Sequence, residues 1–110
     1  MTNAEENFYK RMNELHGTNN LTLDLKLQEH WEFKRNNHLG GVHYGFSFDN
    51  GYGASVIKHF GSYGAKEDKW ELAIMKNGEL IEVSSVFDGI VKGWLTDQEV
   101  EAILKKIQAL

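Results

Sequence analysis

The chain has 110 residues, of which 41% are hydrophobic and 25% charged, with a formal net charge of -4 and no cysteine. This length and composition predict a single domain over residues 1–110 and argue against disorder. The lack of cysteine excludes disulfides, thiolate metal sites and cysteine nucleophiles, and the lack of a long apolar run or a signal-peptide pattern predicts a cytoplasmic protein with no membrane partner.

The first third of the chain changes its hydrophobic period near residue 20. Residues 3–16 are predicted to form a helix, because Phe8, Met12 and Leu15 recur at helical spacing. From residue 21 the leucines alternate with polar residues, which favours a strand over residues 21–33. A helix is the competing interpretation for its second half, and periodicity leaves residues 28–36 open between the two.

Two Asn-Gly pairs, at residues 50–51 and 77–78, lie between apolar runs and predict β-hairpins with two-residue type I′ turns. In the second hairpin this turn would pair Ile74 with Ile81 and Leu72 with Val83. In the first it would place Ile57 and His59 opposite one apolar face of the preceding strand. The members of that face are Val42, Tyr44, Phe46 and Phe48.

The C-terminal helix has the clearest boundaries. Thr96 is its predicted N-cap, and Glu99 is placed to complete a capping box. Four residues form its apolar stripe, namely Val100, Ile103, Leu104 and Ile107. The predicted fold class is therefore α+β, with an antiparallel sheet of about four or five hairpin strands packed against an N-terminal and a C-terminal helix. An edge strand over residues 21–33 or 79–85 could pair with a second copy and form a homo-oligomer.

Polar and glycine-rich residues between the hairpins, at 61–69, predict an exposed loop. Aromatic and charged residues on this loop and on the first hairpin turn are the candidate binding residues, because such side chains anchor protein partners. They are Tyr52, Tyr63, Lys66, Glu67, Asp68 and Lys69. In the alternative interpretation, Lys58, Lys66 and Lys69 act with the aromatic residues on single-stranded nucleic acid. The acidic net charge disfavours that alternative.

Other chemistry has weaker support in the sequence. The glycines around residue 52 lead into a strand, whereas phosphate-binding loops open a helix, so no nucleotide cofactor is expected. Ser55 lacks the sequence context of a nucleophile elbow. A metal-dependent enzyme using His38, His43 or His59 is a third hypothesis, although the metal-binding spacing His-Glu-x-x-His is absent. No catalytic residue, metal or cofactor is therefore predicted.

Several short motifs occur in a distinctive order, with NGYGASVI at residues 50–57, GSYG at 61–64, WELA at 70–73 and GWLT at 93–96. This order resembles a family of small uncharacterised proteins encoded by bacteriophages and prophages. The resemblance covers roughly residues 42–110 and brings no catalytic residues with it. It implies an accessory protein of the bacterial cytoplasm that binds a host macromolecule, as inhibitors of defence systems such as CRISPR-Cas do. The leading hypothesis is accordingly a non-enzymatic protein that binds and modulates a host protein.

Overall fold

The computed structural model describes residues 4, 21–36 and 41–110, without the side chains of Leu25 and of residues 33–36. Helix α1 (Leu25–Gln28) is followed by strands β1 (Trp31–Asn36), β2 (Val42–Ser47), β3 (Tyr52–Lys58), β4 (Trp70–Lys76), β5 (Glu79–Ile81) and β6 (Val91–Leu95), and helix α2 (Asp97–Gln108) ends the order. The predicted helix over residues 3–16 lies outside the described residues, except for residue 4.

The described strands form one antiparallel sheet in the order β1-β2-β3-β4-β5. Strand β6 pairs with β4 on the same edge as β5, but along residues 70–73 of β4 instead of residues 74–76. The α+β class is confirmed, with six strands where four or five were predicted. Among the residues described, no helix is long and apolar enough to cross a bilayer.

The predicted strand over residues 21–33 is wrong in its first half. Asp24 caps α1, because its Oδ1 accepts a hydrogen bond from Lys26 N at 3.0 Å. Leu21, Leu23 and Leu27 are nevertheless buried, so the alternating leucines reach the core from an extended segment followed by one helical turn. The chain becomes a strand only at Trp31, which settles residues 31–36 as β1.

The two hairpin turns differ, and only the second has the predicted type. Asn77 and Gly78 both have positive φ, at 52° and 79°, and Ile74 pairs with Ile81 as expected. The predicted pairing of Leu72 with Val83 is wrong, because β5 ends at Ile81 and Leu72 pairs with Lys92 of β6.

The first turn contains three residues, since Phe48 N donates to Tyr52 O and Gly51 N donates to Phe48 O. Only Gly51 has positive φ there, at 86°. The extra residue shifts the register by one, so Tyr44 pairs with Val56 and Phe46 with Ala54. The predicted partners Ile57 and His59 are therefore wrong, because a one-residue shift moves every side chain of a strand to the opposite face.

Helix α2 covers one face of the sheet, and its predicted apolar stripe is buried there. The capping box is confirmed, with Thr96 Oγ1 accepting from Glu99 N and Glu99 Oε1 accepting from Thr96 N. At the other end of the helix, Asn50 Nδ2 donates to the carbonyls of Ile107 and Gln108 at 2.9 and 3.2 Å. The first hairpin turn thus adds side-chain hydrogen bonds to the last carbonyls of α2, which lack the partners that carbonyls in the middle of a helix have.

The opposite face of the sheet is not covered by either described helix. Odd-numbered residues of β2, β3 and β4 point to this open face, because side chains alternate along a strand and the even-numbered ones are buried in the core. Many of its side chains are small. They include Gly45, Ser47, Gly53, Ser55 and Ala73.

Candidate binding site

Residues 61–69 form a sequence of closed turns. Ser62 Oγ donates to His59 O at 2.8 Å and accepts from His59 N at 3.1 Å. Gly64, with φ 96°, precedes a 3₁₀ helix over Ala65–Glu67, and Lys69 N donates back to Gly64 O at 3.0 Å. Hydrogen bonds within the segment therefore fix which side chains it presents to solvent.

Two predicted binding residues, Lys58 and Asp68, hold this loop against the sheet. Lys58 is only 4% exposed, and its Nζ lies 2.7 Å from Asp68 Oδ1 and 4.2 Å from the centroid of the Trp70 ring. A buried ammonium is stable only where an anion and polarisable groups replace its water. The predicted place of Lys58 among surface cations is therefore wrong, since it lies in the interior.

Tyr63 is at the surface, as predicted, and it stacks on a second exposed aromatic residue, Trp94. The ring centroids are 5.6 Å apart with an interplanar angle of 15°. The two residues are 54% and 53% exposed, among the most exposed large hydrophobic residues described. We call this pair the aromatic platform.

The backbone around the aromatic platform is built for close contact. Trp94 has φ 55°, a left-handed conformation that is unusual for a bulky residue, and its N donates to Tyr63 O at 3.1 Å. A Cβ on Gly93 would lie 2.3 Å from Tyr63 Cβ, and one on Gly64 would lie 2.7 Å from Trp94 Cα. Only glycine at these two positions lets the backbone around Trp94 come so close to that around Tyr63. Two glycines and one tryptophan with a strained backbone therefore hold the two rings together.

Charges of both signs surround the aromatic platform. Tyr63 N donates to Glu71 Oε1 at 3.0 Å, and Lys66 and Glu67 are exposed beside it in sequence. Glu99 at the start of α2 has its pKa held below the usual value, chiefly by hydrogen bonds from the Thr96 backbone and side chain, with smaller contributions from the charges of two lysines. Those lysines are Lys69 and Lys92.

Tyr52, the remaining predicted binding residue, lies far from the aromatic platform. It begins β3, whereas the loop carrying Tyr63 follows the end of that strand, and seven strand residues span roughly 20 Å. Its ring is half-buried, with Lys76 Nζ 4.6 Å from the ring centroid. The predicted residues therefore divide between two ends of the sheet, with Tyr63, Lys66, Glu67 and Lys69 at one end and Tyr52 at the other.

Trp94 is the residue that sequence reasoning missed. A signal was present, because Leu95 directly precedes the N-cap Thr96, where an apolar residue often packs onto the helix, and the neighbour of a buried strand residue faces the other way. Its partner Tyr63 is distant in sequence, however, and no local pattern predicts that the two rings stack.

The histidines do not converge on a metal site in the part of the chain that is described. His43 Nε2 lies 2.7 Å from Ser55 Oγ on the open face, and His59 Nδ1 lies 3.1 Å from Phe60 O. Residues 21–36 and 41–110 contain no group of three side chains able to hold a metal ion. His38 lies outside the described residues.

Comparison with protein-family models, with curated proteins and with solved structures gives no match to this chain.

Proposed function

We propose that this protein is a non-enzymatic binding protein that modulates a host protein, and that the aromatic platform is its main anchor. The stacked, exposed Tyr63–Trp94 pair carries the proposal. The partner expected from the phage resemblance is a bacterial host protein, and a component of a defence system such as CRISPR-Cas is the narrower form of the proposal.

Tyrosine and tryptophan dominate binding hot spots because they bury a large area with few rotatable bonds. Here the stack is already formed in the free protein, since Trp94 N donates a hydrogen bond to Tyr63 O and two glycines permit the close contact between the two segments. Fixing them in the free protein lowers the entropic cost of association. The left-handed backbone of Trp94 supports the same interpretation, because strained residues are often retained at functional sites.

The charges around the platform favour a protein partner over nucleic acid. Exposed Lys66 is followed directly by exposed Glu67, and Glu71 is bonded to the backbone of Tyr63. Lys58, the third lysine of the nucleic-acid hypothesis, is buried against Asp68. A mixed rim suits a protein surface with charges of both signs, whereas phosphate binding needs a run of unpaired cations.

The test begins with the immobilised full-length chain and a lysate of a bacterial host. The captured protein is identified, prepared separately and titrated against wild-type, Tyr63→Ala and Trp94→Ala chains. If each ring is a hot spot worth about 2 kcal/mol, each variant weakens binding roughly thirtyfold. Tyr52→Ala is the matched control, because it removes a tyrosine from the other end of β3 and is expected to bind like wild type.

If Tyr63→Ala and Trp94→Ala bind the partner as tightly as wild type and Tyr52→Ala do, the partner docks elsewhere. Nucleic-acid binding would give a different result, namely a mobility shift with single-stranded probes that weakens steeply with salt and decreases in a Lys66→Ala, Lys69→Ala double variant. That outcome would show that the ligand at this end of the sheet is nucleic acid and not a protein.

A further inference from the structure

We propose a covalent modification site at Asn77, where the folded chain loses the side-chain amide by attack of the Gly78 backbone nitrogen and becomes more acidic. The sequence has two Asn-Gly pairs, at residues 50–51 and 77–78, and both are exposed. Glycine after asparagine makes this reaction easy, because no side chain hinders the approach of the glycine nitrogen. The structure distinguishes the two pairs and protects only the first. This inference does not depend on the proposed function above.

The reaction uses only the chain and water. Gly78 N gives up its proton and forms a bond to Asn77 Cγ, while the bond from Cγ to Nδ2 breaks and the nitrogen leaves as ammonia. The product is a five-membered succinimide ring. Water then opens the ring at either carbonyl, which leaves aspartate with the normal backbone or isoaspartate with the main chain running through Cγ. An amide nitrogen is a weak nucleophile because of its resonance with the carbonyl, so loss of its proton limits the rate.

In the first hairpin turn, hydrogen bonds hold each group that the reaction needs. Asn50 Nδ2 donates to two carbonyls at the end of α2, at 2.9 and 3.2 Å, and Asn50 Oδ1 accepts from Tyr52 N at 3.0 Å. Gly51 N donates to Phe48 O at 3.2 Å, which keeps its proton in place. Attack on Asn50 Cγ would have to break these bonds first, so the folded chain slows the reaction there.

The second turn has the same two residues without these restraints. Its closing pair is Lys76 with Glu79, since a β-turn is closed between its first and fourth residues. Within residues 21–36 and 41–110, neither the Asn77 side chain nor Gly78 N takes part in a hydrogen bond. All residues from 76 to 80 are exposed, so water reaches both reacting groups.

The products change the charge and the backbone of the β4–β5 hairpin. Either product adds one negative charge to a chain whose formal net charge is -4, and the new carboxylate lies two residues before exposed Glu79. Isoaspartate also adds one carbon to the main chain inside the turn that pairs Ile74 with Ile81. A two-residue turn fixes the register of its hairpin. Strand β5, with only three residues, should therefore lose its pairing in the isoaspartate form.

The experiment incubates the full chain at mildly alkaline pH, once folded in buffer and once unfolded in urea, and follows both Asn-Gly pairs by peptide mapping with mass spectrometry. In urea the two rates should agree within a few-fold, because the hydrogen bonds around Asn50 are absent there. In the folded chain Asn77 should react at least about tenfold faster than Asn50, as expected if one or two hydrogen bonds must break. Both aspartate and isoaspartate should form at residue 77, and the rate should rise with pH.

Two matched variants assign the acidic form to one turn. Asn77→Gly cannot react, and Gly-Gly suits the same type I′ turn, so most of the acidic form should disappear from the folded chain. Asn50→Gly removes the other pair and should leave the rate at residue 77 unchanged. The proposal is overturned if the folded chain reacts at Asn50 as fast as at Asn77. It is also overturned if Asn77 reacts only in the urea-unfolded chain.

Discussion

Trp70 and Trp94 lie on neighbouring strands, yet their surroundings are opposite. Trp70 is completely buried, donates from Nε1 to Asp97 Oδ1 at 2.7 Å and has the ammonium of Lys58 over its ring. Trp94 is 53% exposed, has a left-handed backbone and contacts the exposed ring of Tyr63. We call these two regions the closed centre and the aromatic platform.

The comparison separates stability from binding. In the closed centre each polar atom of Trp70, Lys58 and Asp68 named above has a protein partner, so its groups stabilise the fold. In the aromatic platform both rings are more than half exposed and the backbone is strained, so the arrangement costs stability and leaves apolar surface open for the proposed binding. Substitutions that break a pair in the first region should therefore lower the stability of the fold, and loss of a ring in the second should chiefly weaken the proposed binding.

The largest effect is expected from Asp68→Asn, which leaves the Lys58 ammonium buried without its carboxylate. Breaking such a pair should lower the free energy of unfolding by about 3 kcal/mol, measured by urea denaturation. Asparagine tolerates the left-handed backbone of residue 68, so the change isolates the charge. Lys58→Met is the matched variant and should cost less than about 1 kcal/mol, because it removes the buried charge and leaves Asp68 partly solvated. Equal losses in both variants would contradict this account.

Trp70→Phe should have the next largest effect. It removes the hydrogen bond to Asp97, a charged acceptor that also accepts from Thr22 N, and should cost about 2 kcal/mol in addition to the lost ring volume. Trp31→Phe is the control, because the buried Nε1 of Trp31 has no hydrogen-bond partner among the described residues. The same substitution there loses ring volume but no hydrogen bond, so the difference between the two thermal or urea transitions isolates the bond. Similar destabilisation of both variants would show that the lost ring volume, and not the hydrogen bond to Asp97, sets the cost of Trp70→Phe.

At the aromatic platform, Trp94→Gly should be more stable than Trp94→Ala by about 1 kcal/mol, because glycine adopts φ 55° without strain. Both variants lose the ring and should lose partner binding to the same extent. Urea denaturation checks the first statement, and the partner titration checks the second. An alanine variant as stable as the glycine variant would show that the backbone of residue 94 is not strained.

The smallest effect on stability is expected from Glu99, which completes the capping box at the start of α2. Because its pKa is lower in the folded than in the unfolded chain, its stabilisation is complete above the unfolded value of about 4.3 and decreases as pH falls through the folded value. Glu99→Gln can still cap the helix but does not titrate. Urea midpoints measured at falling pH should therefore decrease less in the variant than in wild type, and parallel decreases would assign the acid sensitivity to other groups.

The second hairpin and α2 could be predicted because their signals are local. Asn77-Gly78 has a strong preference for one turn type, and Thr96 with Glu99 encodes its own cap. Asn50-Gly51 has the same two residues as the second turn, yet it forms part of a three-residue turn. Asn50 also donates a hydrogen bond to a carbonyl at the end of α2. A contact between residues far apart in sequence accompanies that turn, and a local rule cannot include it.

The candidate site divides in the same way. Exposure of Tyr63 followed from its glycine-rich surroundings, but the burial of Lys58 required Asp68 and Trp70 to meet it from other parts of the fold. By itself the sequence determined the α+β class, the capped helix and most core positions, because periodicity and capping act over a few residues. Only the tertiary structure decided the register of the first hairpin, the burial of Lys58 and the Tyr63–Trp94 stack, because each depends on which distant side chains and glycines come into contact.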